Sequence, residues 1–186
     1  GPAAGADTSI LIGARRPPRG DLKERLVGDV DAQIIGQAHC HVLIAGWKSK
    51  MWSRRILIAC DGSTDSDRIT EIAGQIAKAT RTAVTLVAVV ANGRDAEKAV
   101  EDLAQKLARI RIESIECDSL VIEGTPEQAI PATAKKLGAD LVVIGHQQSL
   151  GRGVADQIIG SLDCAVLVVQ SGAEAREIDS AVANQA

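Results

Sequence analysis

The order of apolar runs predicts an α/β protein: a doubly wound parallel sheet with helices on both faces. Three observations carry this. Short runs of Val, Ile, Leu and Ala alternate with segments whose apolar residues recur at helical spacing, the pattern of successive strand-helix-strand crossovers. The runs are apolar at every position, as strands covered on both faces require. The chain has two Trp (Trp47 and Trp52) and no Phe or Tyr, so its core must be aliphatic, which suits a sheet beneath Ala-rich helices.

RILIAC (55–60) reads as the first buried strand and Asp61-Gly62-Ser63 as the turn after it. Residues 66–79 place Ile69, Ile72, Ala73, Ile76 and Ala77 on one helical stripe. AVTLVAVV (83–90) is the second strand. Residues 95–109 are expected to form a helix with Val100, Leu103 and Leu107 inward and an Asp102/Lys106 pair outward. SLVIE (119–123) is the third strand. Thr125 is placed to cap a third helix, with Gln128 three residues on and Pro126 at the first helical position. Pro131 conflicts with that helix, because it removes a hydrogen bond and should kink the helix or delay its start. DLVVIG (140–145) and AVLVV (165–169) are the fourth and fifth strands, with a short helix between. Ligands on such sheets bind beyond the carboxyl ends of the strands, at the switch point. Here that means Asp61 to Ser63 and the residues from Gly145 onward.

The length of 186 residues suits one domain, or one domain and a piece of another. A net charge of −3 gives no electrostatic footprint for DNA or RNA, and the lack of stacking aromatics argues against single strands, so no nucleic-acid partner is expected. No apolar run approaches the ~18 residues of a membrane span, and the opening Gly1-Pro2-Ala3-Ala4 lacks the basic segment of a signal peptide. Cys40, Cys60, Cys117 and Cys164 are scattered without a CxxC. They read as reduced, buried thiols of a cytoplasmic protein, Cys60 serving as a small hydrophobe. In His39-Cys40-His41, adjacent strand residues point to opposite faces, so Cys40 does not join both histidines on one ion. No metal is expected, and His146 reads as a solvated loop residue.

The first 46 residues hold a repeat. VDAQIIGQAHCHVLIA (30–45) aligns without gaps on VADQIIGSLDCAVLVV (154–169). Cys40 falls on Cys164 and Val42-Leu43 on Val166-Leu167. Upstream, GADTSILIG (5–13) aligns on GADLVVIG (138–145) with one extra residue. Residues 1–46 are therefore expected to be an incomplete strand-loop-helix-strand copy, 47–53 a linker, 54–170 the complete domain and 171–186 a tail. Two strands and a helix cannot bury a core alone, so the first piece must dock on a neighbour or belong to a preceding domain.

RRILIACDGSTDS, VIEGTPEQAI, GADLVVIG and the closing CAVLVV, in this order and spacing, resemble the universal stress protein family over residues 54–170. The resemblance implies a five-stranded parallel sheet of order 3-2-1-4-5. It also implies dimers, or tandem pseudo-dimers, joined along the last strand, an open edge that favours pairing. Family members also occur fused to transporters and kinases. Some bind ATP or another adenine nucleotide through Gly-x2-Gly-x9-Gly-Ser/Thr after the fourth strand, where glycines let the backbone approach phosphates and helix amides receive them. By this resemblance Asp61, Gly62, Val89, Gly145, Gly151, Arg152 and Gly153 are the candidate binding residues, with ATP or AMP as the ligand.

The loop departs from the pattern. Gly145 fits the first glycine, but Gln148 stands at the second. Gly160-Ser161 imitates the closing pair, yet the repeat aligns Gly160 with Gly36, near a helix end. The closing position of the first copy, Gly28, falls on Arg152, between Gly151 and Gly153, so the loop is about eight residues shorter than its counterpart. In the first copy Arg16 replaces the second glycine and Asp29 the hydroxyl residue, which disfavours phosphate. Asp61 has a plainer reading as an Asx turn starting the first helix, and Gly151 to Gly153 as a turn.

No nucleophile elbow, zinc-hydrolase motif or intact P-loop is present, so an enzyme is not expected, a slow ATPase being the most distant alternative. The leading expectation is a non-catalytic regulatory module that acts by homodimer or pseudo-dimer pairing, with weak nucleotide binding or none. An adenine-nucleotide sensor and a cytoplasmic domain of a membrane transporter or sensor are the alternatives.

Overall fold

The computed structural model describes residues 10–14, 35, 38–45, 49, 53–111, 114–146 and 154–170. The elements are β1 (Ile10–Ala14), β2 (His41–Ala45), β3 (Arg55–Cys60), α1 (Thr64–Thr80), β4 (Ala83–Val90), a 3-10 turn (Gly93–Asp95), α2 (Ala96–Ile110), β5 (Cys117–Glu123), α3 (Pro126–Leu137), β6 (Leu141–His146), α4 (Val154–Ser161) and β7 (Ala165–Gln170). They build one seven-stranded sheet of order β1-β2-β7-β6-β3-β4-β5. The five strands β3 to β7 stand in the expected order 3-2-1-4-5, all parallel. Beyond the expected five, β2 joins antiparallel to β7, and β1 joins parallel to β2.

The alternation of side chains along each strand sorts the core into two layers. Ile56 and Ile58 of β3, Val84 and Leu86 of β4 and Val143 of β6 pack under Ile69 and Ala73 of α1 and Leu103 and Ile110 of α2. On the opposite face Leu57, Val87, Val142 and Val166 pack against Ile130 and Ala134 of α3 and Ile158 and Ile159 of α4. The largest side chains fully removed from water, among them Ile56, Leu57, Ile58, Leu86 and Leu141, are all aliphatic. Val42 and Ile44 of β2 belong to the second layer, together with Ile35.

Several local expectations change. Val100 is 57% exposed, while Ala99, Leu103, Leu107 and Ile110 face the sheet. At ~100° per residue Val100 stands roughly 65° from the centre of that stripe. Lys106 is buried rather than outward, because its ammonium is drawn between Asp102 (2.5 Å) of its own helix and Asp67 (3.2 Å) of α1. Pro131 does not delay α3, which starts at Pro126 with the Gln128 and Ala129 amides donating to the Thr125 carbonyl. Thr125 is the N-cap by backbone conformation, but its side chain makes no capping hydrogen bond. β5, an edge of the sheet, is the least buried of the five strands, with Leu120 40% exposed. Of the four free cysteines only Cys60 is buried; Cys40, Cys117 and Cys164 are partly exposed. Among the described residues no helix is long and apolar enough to cross a membrane.

Candidate functional site

The order of the sheet reverses between β3 and β6, whose chains leave toward opposite faces, and the gap between their carboxyl ends opens a cleft. Its walls are Ala59, Cys60 and Asp61 after β3, Val87 and Val89 of β4, Ile144 and Gly145 of β6, Pro126 and Ile130 of α3, and Ala155 and Ile158 of α4. Asp61, Val89 and Gly145 of the candidate set thus share one cleft. Gly62 lines a neighbouring recess with Asp61, Val89, Asp95, Lys98 and Asp102, on the α1/α2 side. Gly151, Arg152 and Gly153 lie outside the described residues, as do Gln147 and Gln148.

The turn after β3 is fixed by one carboxylate. Asp61 Oδ1 accepts the Ser63 amide (3.0 Å), the Ser63 hydroxyl (2.6 Å) and the Ser66 hydroxyl. The Asp61 amide donates back to Ser66 Oγ at 3.1 Å. Burial alone would raise the Asp61 pKa, but the bonds from Ser63 and Ser66 outweigh it and hold the carboxyl below its usual value. Gly62 takes φ +77°, a left-handed conformation that L side chains rarely adopt, so the turn needs glycine there. The Asx turn read from the sequence is therefore present, and the carboxylate it anchors is charged at neutral pH.

Gly145 has a packing reason of its own. A Cβ built on it would lie 2.6 Å from Cδ1 of Ile69, a buried residue of α1. The absence of a side chain lets β6 lie close under α1, whatever the cleft holds. Gly160 and Ser161 stand in the last turn of α4, the Ser161 hydroxyl donating to the Gln157 carbonyl at 2.8 Å. They end a helix, as the internal alignment indicates.

Beneath the cleft, Cys60 is buried against Thr70, Sγ to Oγ1 3.9 Å. Burial pushes its thiol up to about 12, so it is protonated at neutral pH and a poor nucleophile. His41 is buried in β2, and its Nδ1 accepts the Gln170 amide of β7 at 3.1 Å. The walls supplied by Pro126, Ile130, Ala155 and Ile158 were not singled out from the sequence. They carry no chemistry-bearing side chain, and only the crossover geometry brings α3 and α4 over the carboxyl ends of β3 and β6.

The family model for the universal stress protein family matches residues 53–170. No curated protein matches. A universal stress protein solved in complex with cAMP superposes with a TM-score of 0.57 at 22% identity, covering 64% of this chain and 98% of its own. A universal stress protein from Archaeoglobus fulgidus in complex with dAMP gives 0.55 at 24%, covering 64% and 99%. A longer universal stress protein from Archaeoglobus fulgidus DSM 4304 gives 0.69 at 24%, covering 88% of this chain but 61% of its own. At these identities the superpositions establish the fold. The family match spans more than half of the chain, through the strands that frame the cleft: the chain belongs to the universal stress protein family.

Proposed function

We propose that the chain is a non-catalytic regulatory module whose output is strand pairing at β7. In this reading residues 54–170 are the complete domain, 1–46 an incomplete second copy, 47–53 the linker and 171–186 a tail, in a cytoplasmic protein. The register of β2 on β7 carries it. Leu43 faces Leu167, with Val42 opposite Val168 and Ile44 opposite Val166. In the internal alignment Leu43 and Leu167 are equivalent residues. The two strands therefore pair about a pseudo-twofold axis through that leucine pair, as two copies of one domain would. The greater coverage of this chain by the longer Archaeoglobus fulgidus protein, 88% against 64%, agrees with a chain that continues the fold past one domain.

In this proposal nucleotide binding is weak or absent. The cleft measures about 60 Å³ and the recess that shares Asp61 and Val89 with it about 330 Å³, the low end of the roughly 300–1,000 Å³ of ordinary small-molecule sites. Gln148 stands where the resemblance asks for a glycine, and Gly145 is accounted for by Ile69. An adenine-nucleotide sensor is the second reading. It is favoured by the charged Asp61 beside Val89 and Gly145, and by the cAMP and dAMP bound to two structures of the same fold. Titration calorimetry with ATP, AMP and cAMP, using Asp61→Ala as control, separates the two. Absence of heat up to millimolar ligand supports the pairing module. Micromolar binding lost in Asp61→Ala overturns weak binding in favour of the sensor.

A further inference from the structure

The β2–β7 seam holds a buried titratable group that the cleft does not use. The ladder pairs residues 42–44 with 166–168. Two residues beyond Val168, the Gln170 amide turns to a side chain, donating to Nδ1 of His41 at 3.1 Å. The Gln170 side chain continues the clasp, its Nε2 donating to the Ile35 carbonyl at 2.8 Å. His41 is 2% exposed and Gln170 6%. A ring nitrogen accepts a hydrogen bond only in neutral imidazole. On protonation Nδ1 becomes a donor facing a donor, and a charge is buried.

Among the described residues, no carboxylate is placed to stabilise that charge. The strands β1 (ILIGA), β2 (HVLIA) and β7 (AVLVVQ) contain no other titratable residue, and β6 brings a second histidine, His146, opposite Gln170. Among the described residues, the charged neighbour that acts on it is Arg68 of α1, a cation. Burial first, and Arg68 second, hold the imidazole pKa below 6.5. A base whose folded pKa is depressed contributes its full stability above the unfolded value and loses it as pH falls toward the folded one. The clasp is therefore closed at neutral pH and weakens below about 6.5.

We propose that His41 makes the β2–β7 seam acid-releasable, and that the β7 edge so freed pairs with β7 of a second copy of this chain. The second half rests on the reading of β7 as the pairing edge. A second β7 fits because the register is self-complementary: Leu167 would meet Leu167, and Val166 would meet Val168. The repeat puts Ala165 in the place of His41, so the pair between copies has no titrating group and is not weakened by acid.

The test compares the whole chain with His41→Gln, whose amide oxygen accepts the Gln170 amide at any pH. Hydrogen exchange at Val42 and Ile44, corrected for intrinsic rates, is measured at pH 7.5 and 5.0, with Val84 and Leu86 of β4 as internal reference. Sedimentation gives the mass under the same conditions. In the native chain, β2 protection is expected to fall roughly tenfold relative to β4 at pH 5.0, the scale of one lost buried hydrogen bond, while the mass doubles. His41→Gln is expected to keep protection and monomer mass at both pH values. Equal pH dependence in the two proteins, or β2 following β4, overturns the acid release. Release of β2 without a doubled mass overturns the pairing of copies alone. Should His41→Gln not fold, the imidazole titration in the native chain decides by NMR: a midpoint below 6.5 supports the clasp, and one at or above 6.5 overturns it.

Discussion

The two ends of the central strands are built differently. At the amino end polar groups close on one another. Arg55 reaches Thr85 (2.7 Å), Asp118 (3.3 Å) and Glu116 (2.7 Å), tying β3 to β4, β5 and the residue before β5. Asp140 receives the amides of Ser53, Arg54 and Arg55 at 2.8 to 3.1 Å, and its own amide donates to the Arg55 carbonyl. At the carboxyl end one carboxylate, Asp61, orders a turn and the walls stay apart. The same strands thus have a sealed end that stabilises and an open end free to vary. A loop can lose a binding motif at the open end without endangering the fold.

This difference can be broken by measurement, the largest effect first. Arg55→Met should lower unfolding stability by about 3 kcal/mol, because it removes the charged bonds to Thr85, Asp118 and Glu116 and leaves the buried Thr85 hydroxyl with Asp118 as its remaining partner. Chemical denaturation reads it, and ligand behaviour at the cleft should not change. Asp140→Ala should cost about 2 kcal/mol by leaving three backbone amides without their charged acceptor. Gly145→Ala should cost about 1–2 kcal/mol by overpacking against Ile69, and adding Ile69→Val should recover most of it in a double-mutant cycle. Asp61→Asn should cost about 1 kcal/mol at neutral pH. Asp61 has a depressed carboxyl pKa, so its contribution is complete above 3.8 and lost as pH falls through the folded value. The acid limb of the stability profile should be flatter in Asp61→Asn than in the native chain. A larger loss from Asp61→Asn than from Arg55→Met would invert the comparison between the ends.

The strands were legible because an aliphatic run covered on both faces leaves no alternative structure: 55–60 and 83–90 coincide with β3 and β4. The Asx turn was legible too, since Asp-Gly-Ser makes its bonds locally. What escaped was long-range. Arg55 and Asp140 look like ordinary strand-flanking polar residues, and their partners lie tens of residues away. The Asp102/Lys106 spacing was visible, but Asp67, on another helix, is what helps draw Lys106 inward. Val100 fits the same periodicity as Leu103, and only the docking of α2 on the sheet decides between them. In β1 the alignment sets Gly13 on Gly145. The pairing sets Ala14 opposite Ala45, in the place that Gly145 takes opposite Val169. The extra residue upstream is absorbed by a one-step slip, which no sequence pattern fixes in a short apolar strand.

The leucine pair at the β2–β7 axis also has a history in time. Leu43 and Leu167 are 124 residues apart in the chain. At ~5–20 residues per second, β2 leaves the ribosome roughly 6–25 s before its partner strand exists. For that interval HVLIA has β1 for one edge and nothing for the other, an open apolar edge of the kind that nascent chains hand to chaperones or lose to aggregation. The seam that closes the sheet last is the one whose first half is made first, so the yield of folded protein should depend on how β2 is sheltered during synthesis.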